Sequence, residues 1–182
     1  VVSPYDAELF GHWWYEGPWF IDFFFRKSWH DQHTYQMTHL ADYLRAEPTQ
    51  QVCRPSQSSW GYKGFHEYWL NETNAWVYPH LHKGAERMID LARMEPADEL
   101  QWRALNQAAR ELLLAQSSDW AFIMRTGTMV PYAIRRTRSH LVRFHKLYEE
   151  LKEGKVDSGW LEKIESMDNI FPSINYRTYR PL

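Results

Sequence analysis

Cysteine is almost missing from this chain. Cys53 is the only one in 182 residues, which excludes an internal disulfide framework and a cysteine-built zinc knuckle. Long apolar runs are also missing. No stretch approaches the roughly 18 residues of a membrane span, and no signal peptide opens the chain. Neither sign of charge is in excess. Lys and Arg number 21 against 23 Asp and Glu, for a formal net charge of -2. Such a balance gives no bulk attraction to nucleic acid or to anionic lipid. There are no internal repeats and no low-complexity linkers. These absences predict a globular, cytoplasmic protein with neither nucleic acid nor membrane as partner. Aromatic residues, by contrast, are plentiful: 10 Trp, 11 Tyr and 9 Phe make up 16%. A small core uses a few tryptophans. The others must pack at an interface or face a ligand that favours flat, polarisable surfaces.

The chain divides into two parts. Residues 1–68 are aromatic-rich and irregular. The run Val1-Val2-Ser3-Pro4-Tyr5 reads like the end of a buried strand, which suggests that the chain begins inside something larger. Gly17–Lys27 can start a helix, with Pro18 in its first turn. Thr34–Thr38 suits a short strand, and Thr38–Glu47 a helix that stops before Pro48. Gln51–Ser59 reads as a strand or an extended loop. Residues 69–182 read as helices over Asn71–Met94, Ala97–Ala115, Tyr132–Leu151 and Ser158–Met167, with apolar positions at helical spacing and a stop at Gly154. The fold class is therefore mainly α.

Two clusters carry the chemistry. The first, Tyr5-Asp6-Ala7-Glu8-Leu9-Phe10-Gly11-His12-Trp13-Trp14, sets carboxylates and a histidine among aromatics. A carboxylic acid in apolar surroundings ionises reluctantly and can serve as a general acid near neutrality. Asp6 fits that role. On an extended segment Asp6 and Glu8 would share a face and form a pair. Equally, both can be hydrogen-bonded loop carboxylates beneath an aromatic cap. The second cluster is Ser58-Ser59-Trp60-Gly61-Tyr62-Lys63-Gly64-Phe65-His66-Glu67-Tyr68-Trp69-Leu70-Asn71. Trp60 and Trp69 flank a glycine-containing loop. Indoles so placed can stack on sugar rings, or can pack a loop-to-helix junction.

Together these clusters resemble glycoside hydrolase family 57. The first run looks like that family's fourth conserved region, and Ser58-Ser59-Trp60-Gly61 with Gly64 and Trp69-Leu70-Asn71 looks like its fifth. Gln116-Ser117-Ser118-Asp119-Trp120, Thr126-Gly127-Thr128 and Asp168-Asn169-Ile170-Phe171-Pro172 resemble the helical domain of the family's 1,4-α-glucan branching enzymes. The resemblance implies that residues 1–68 are the tail of an incomplete (β/α)7 barrel and residues 69–182 a C-terminal helical bundle domain. It implies Asp6 as general acid/base. It implies His12, Trp13, Trp14, Trp60, Trp69 and Asp119 as substrate-binding residues, and an α-1,4-glucan as substrate. The family's nucleophilic Glu lies upstream of the fourth region, in sequence that this chain does not contain. The expectation is a C-terminal fragment, inactive alone, whose partner is the N-terminal catalytic part of the same polypeptide. An α-amylase or 4-α-glucanotransferase of the same family and a non-catalytic glucan-binding module are the alternatives.

No cofactor is expected. Of the histidines, only His80 and His82 are closely spaced, and no acidic cluster completes a shell, so solvated or capping histidines and no metal are expected. Arg135, Arg136, Arg138, Arg143 and Lys146 suggest a basic helix face that is solvated.

Overall fold

The computed structural model describes residues 2–181, so Val1 lies outside the described residues. The chain falls into two compact units, Val1–Pro55 and Ser56–Leu182. Among the described residues every regular element is helical. No helix is long and apolar enough to cross a membrane.

The first unit holds α1 (Gly17–His30), with Pro18 in its opening turn, and α2 (Leu40–Ala46). The strand expected over Thr34–Thr38 does not form; that segment is irregular. Gln32 supplies the reason. Its side-chain oxygen accepts from the backbone N–H of Thr34 at 2.8 Å and of Tyr35 at 3.1 Å, and its amide donates to the Tyr35 carbonyl at 3.0 Å. Local bonds of this kind take the backbone groups that a neighbouring strand would need. Gln51–Ser59 is extended loop.

The second unit is a helical bundle of α3 (Val77–Ala92), α4 (Glu99–Ala115), α5 (Ser118–Thr126), α6 (Val130–Glu153) and α7 (Ser158–Met167). Asp98 and Asp157 cap α4 and α7 through backbone N–H groups of Gln101 and Trp160, and α6 stops at Gly154. Helix α4 lies most extensively against α6, which α3 and α5 also touch. Met88, Leu91, Leu105, Leu112, Phe144, Leu147, Leu161, Ile164 and Tyr176 form one fully buried core. The bundle closes tightly at Gly84, where a Cβ would stand 2.9 Å from Leu112 Cδ1.

Helix α3 begins six residues later than the periodicity predicts. Pro79 explains this, because proline is tolerated in a first turn but breaks an interior one. Residues before it are drawn into turns by Asn74. Helix α5 has no counterpart among the sequence expectations. It is short, and only Ala121 and Met124 are buried on it, too few to set up a period.

Candidate functional site

In the first unit, Asp6 opens the segment that winds into a π-helical turn at Leu9–Trp13, closed by the Trp14 N–H on the Leu9 carbonyl at 2.8 Å. The turn carries part of the run Tyr5–Trp14 singled out in the sequence. The His12 and Trp13 rings lie 5.4 Å apart, and Trp13 is 75% exposed. Trp14 is half-buried instead. It packs between Phe10 at 5.9 Å and Phe20 at 5.0 Å, above Gly17, whose place would crowd Phe10 if it bore a Cβ. Asp6 is exposed. The apolar surroundings expected for its carboxyl are thus not supplied by the unit's own residues. Glu8 has helical backbone angles, so the extended geometry that would put both carboxylates on one face is not present.

In the second unit, the tryptophan loop is held from several sides. Ser59 accepts from the Gly61 N–H at 2.9 Å and donates to the Phe65 carbonyl at 2.5 Å, and its own N–H donates to the Gly64 carbonyl at 2.7 Å. Gly61 sits where nothing larger fits. A Cβ there would meet the Phe65 carbonyl at 2.7 Å and the Trp69 ring at 2.8 Å. Trp60 stands edge-on to Trp69, ring centres 4.9 Å apart at 87°, and remains 75% exposed. Tyr68 and Phe122 of α5 back the pair, Phe122 at 5.7 Å from Trp60 and 5.3 Å from Tyr68. Asn74 fixes the loop to the bundle. Fully buried, it donates to the Tyr68 and Ala121 carbonyls, each at 3.0 Å, and accepts from the Asn71 N–H at 2.9 Å. Asn71 does not cap α3. Its side chain accepts from Thr73 and opens the turn ahead of it.

Asp119 stands exposed in the first turn of α5, where Ser117 Oγ donates to it at 2.7 Å. It precedes Phe122 by three residues and so shares its helix face. Trp60 and Trp69 thus meet α5 at Phe122, in the middle of the helix, and no contact joins Asp119 to either indole among the described residues. Glu67 of the same loop pairs with Arg125 of α5 at 3.0 Å. A cleft of about 480 Å³ opens beside Trp69. The first unit has a larger hollow, about 940 Å³, lined by α1 and the segment after it, and holding none of the expected site residues.

A buried polar network lies elsewhere in the bundle. His140 Nδ1 and Glu111 Oε2 are 2.7 Å apart, both side chains fully buried. Gln107 donates to Glu111 Oε1 at 2.9 Å, Arg143 pairs with Asp168, and Arg136 lies 3.0 Å from His140 Nε2. Burial lowers the affinity of the neighbouring Arg110 guanidinium for its proton. The expectation of solvated or capping histidines is therefore corrected for His140. The solvated basic face is corrected for Arg136 and Arg143, which turn inward, while Arg135 and Arg138 are exposed. Ligand atoms of Glu111, His140 and Asp168 lie within 4.8 Å of one another. Both imidazole nitrogens are already engaged, and two guanidiniums supply the positive charge, so the arrangement suits an ion-pair network better than a cation.

The family model described as "1,4-alpha-glucan branching enzyme, C-terminal" matches residues 80–179, more than half of the chain. The chain belongs to this family. It is 36% identical over 180 residues to the 1,4-alpha-glucan branching enzyme of Thermococcus kodakarensis, covering 94% of this chain and 26% of that protein. Its fold matches the crystal structure of a GH57-type branching enzyme from Pyrococcus horikoshii with a TM-score of 0.79 at 34% identity, over 100% of this chain and 35% of that one. It also matches an alpha-amylase, AmyC from Thermotoga maritima, with a TM-score of 0.73 at 42% identity, over 100% of this chain and 33% of that one. The chain thus spans about a quarter to a third of the length of these proteins. The helical bundle is the family's C-terminal domain, in line with the expected fold class.

Proposed function

We propose that the chain is the acid/base- and acceptor-bearing C-terminal part of a retaining 1,4-α-glucan branching enzyme. Residues 1–68 are assigned to the end of the catalytic barrel and residues 69–182 to the helical domain. In the intact polypeptide, a glutamate outside this chain attacks the anomeric carbon of an α-1,4 bond while Asp6 protonates the leaving oxygen. Asp6 then takes the proton from a 6-hydroxyl of an acceptor glucan, which displaces the glutamate. Retention requires the two carboxyl groups about 5–5.5 Å apart on opposite sides of the scissile bond. Glu8, two residues from Asp6, cannot be that opposed partner.

Transfer must outrun hydrolysis, so water has to be kept from the glycosyl-enzyme. His12, Trp13, Trp14, Trp60, Trp69 and Asp119 are assigned to the glucan groove. The observation that carries the assignment is the edge-on pair of Trp60 and Trp69. Two indoles at right angles offer a wall and a floor to the C–H faces of glucose and give water no polar foothold. Such an enzyme belongs to cytoplasmic glycogen-type biosynthesis, with the rest of its own polypeptide as partner.

The test is linkage analysis of products made from amylose by the intact enzyme. New α-1,6 points are expected, and Trp60→Ala should lower the yield of branches. Unchanged branching by that variant would count against the assignment. The 182-residue chain alone should make none. The match to an alpha-amylase at 42% identity favours a second reading, α-1,4 hydrolysis, for which only shorter α-1,4 chains would appear. A 4-α-glucanotransferase would rearrange α-1,4 chains, and a glucan-binding module would change nothing.

A further inference from the structure

The buried network between α4 and α6 has no part in the proposed chemistry, and ion pairs in an interior are costly to desolvate and add little stability over apolar packing. Its geometry instead fixes a direction. Arginine carries only hydrogen-bond donors, so Arg136, 3.0 Å from His140 Nε2, must donate to that nitrogen. Nε2 is then the acceptor, and Nδ1 carries the proton, which it donates to Glu111 Oε2 at 2.7 Å. Glu111 is held in turn by Gln107 of its own helix at 2.9 Å. The remaining charges around the ring have other partners. Asp168, from the segment after α7, lies 3.9 Å from Nδ1 and pairs with Arg143. Arg110 turns away to the carbonyls of Ile170 and Phe171.

Arg136 leads from this interior to α5. Its Nε is buried and has no partner among the described residues. The Asp168 carboxylate stands 3.8 Å from its Nη2, beyond hydrogen-bond distance. The orientation of the guanidinium therefore rests on His140. The same guanidinium lies over the Trp120 ring, 5.7 Å from the ring centre, within reach of a cation–π contact. The Trp120 indole N–H donates to the Leu114 carbonyl at 2.7 Å, and Tyr132 meets the ring edge-on at 6.0 Å. Asp119 precedes Trp120 in the first turn of α5, and its carboxylate is bonded to Ser117 alone among the described residues. Trp120 thus ties that turn to α6.

We infer that His140 and Arg136 are positioning residues for the Asp119–Trp120 turn: His140, carrying its proton on Nδ1, turns the Arg136 guanidinium onto the Trp120 ring. The inference rests on the proposed function for the place of Asp119 in the glucan groove, and it gives the buried network a part in that function.

The test uses the 182-residue chain for NMR and the intact enzyme for kinetics. Long-range nitrogen–proton spectra at neutral pH should show the His140 proton on Nδ1 and a bare Nε2. A proton on Nε2 would overturn the inference. Two replacements at Arg136, which is half-buried, separate position from charge. Arg136→Met keeps the stem, and Arg136→Lys keeps the charge without the planar fork. Both should displace the Trp120 indole N–H and Asp119 amide signals. The indole signal of Trp102, which has its own guanidinium in Arg177 at 5.0 Å, should stay in place and report an intact fold. In the intact enzyme both should raise the KM for amylose roughly three- to tenfold, the size of one lost hydrogen bond, with kcat little changed. Restoration of the signals and of KM by Arg136→Lys would mean that the network only balances charge, and would overturn the positioning role. Unmoved Trp120 and Asp119 signals in both variants would overturn it as well and leave the proposed function standing. Displaced signals with an unchanged KM would overturn the link between this network and the glucan groove.

Discussion

The two units treat their apolar residues in opposite ways. In the first, Gly17 and Ser28 are the only fully buried residues among those described. Trp13, Trp19, Phe23 and Trp29 are each at least 60% exposed, and much of α1 is apolar on every side. In the second, four helices share a dry core around Leu105, Leu112, Phe144 and Leu147, and even its charged interior is paired. A helix that is apolar all round needs cover on all sides to be stable. A helix with one apolar stripe needs one neighbour, and α4 and α6 are each other's. The second unit therefore carries the means of its own stability, whereas the first displays aromatic surface.

That contrast can be broken by substitution. The largest effects should come from the second unit's interior. Phe144→Ala and Glu111→Ala should each cost about 3–5 kcal/mol in urea unfolding, the first by leaving a cavity and the second by stranding the buried His140 and Gln107 that its carboxylate holds. Phe23→Ala on α1 should stay within about 0.5 kcal/mol, as surface changes do. A loss of core size from Phe23→Ala would erase the distinction between the units.

Intermediate effects belong to the tryptophan loop. Asn74→Ala removes three hydrogen bonds and takes their partner from the Tyr68 carbonyl and the Asn71 N–H, for roughly 1–3 kcal/mol. Gly61→Ala forces a methyl against a carbonyl and an indole, at about 1–3 kcal/mol, and should shift the Trp60 and Trp69 fluorescence without moving that of the first unit. If those signals stay in place, the close approach at Gly61 does not set the indole geometry.

The smallest effect is a pH dependence. Burial first, then the Arg87 guanidinium and His80, hold His145 below the ordinary histidine range. The folded chain takes up that proton at lower pH than the unfolded chain. Stability from this site is thus fully present above the unfolded pKa of about 6.5 and falls as pH drops through it. His145→Gln should flatten the melting temperature over that window. An equally steep fall in the variant would assign the dependence to another group.

Much of this was legible in advance, for identifiable reasons. Helix α7 was bounded correctly because a capping Asp157 and apolar residues at helical spacing coincide. Helix α6 was legible from its period and from Gly154. Over Thr34–Thr38 the β-favouring residues suggest a strand but are overruled by Gln32, whose bonds are a matter of side-chain placement. The late start of α3 did have a signal, Pro79, which outranks the apolar period running up to it. The clusters around Asp6 and Trp60 stood out as motifs, but the Asn74 anchor and the cleft beside Trp69 did not. They join residues from a loop, α3 and α5 that no spacing rule connects.

The sequence by itself determined the helical class, the near-neutral charge balance, the absence of an internal disulfide and the family to which the chain belongs. These depend on composition and on short-range pattern, which need no folded context. Only the tertiary structure decided that Trp60 stands edge-on to Trp69, that His140 and two arginines turn inward, and that Asp6 is exposed in its own unit. Burial, ring orientation and charge pairing are set by residues distant in the chain, and their physical consequences arise only where folding brings those residues together.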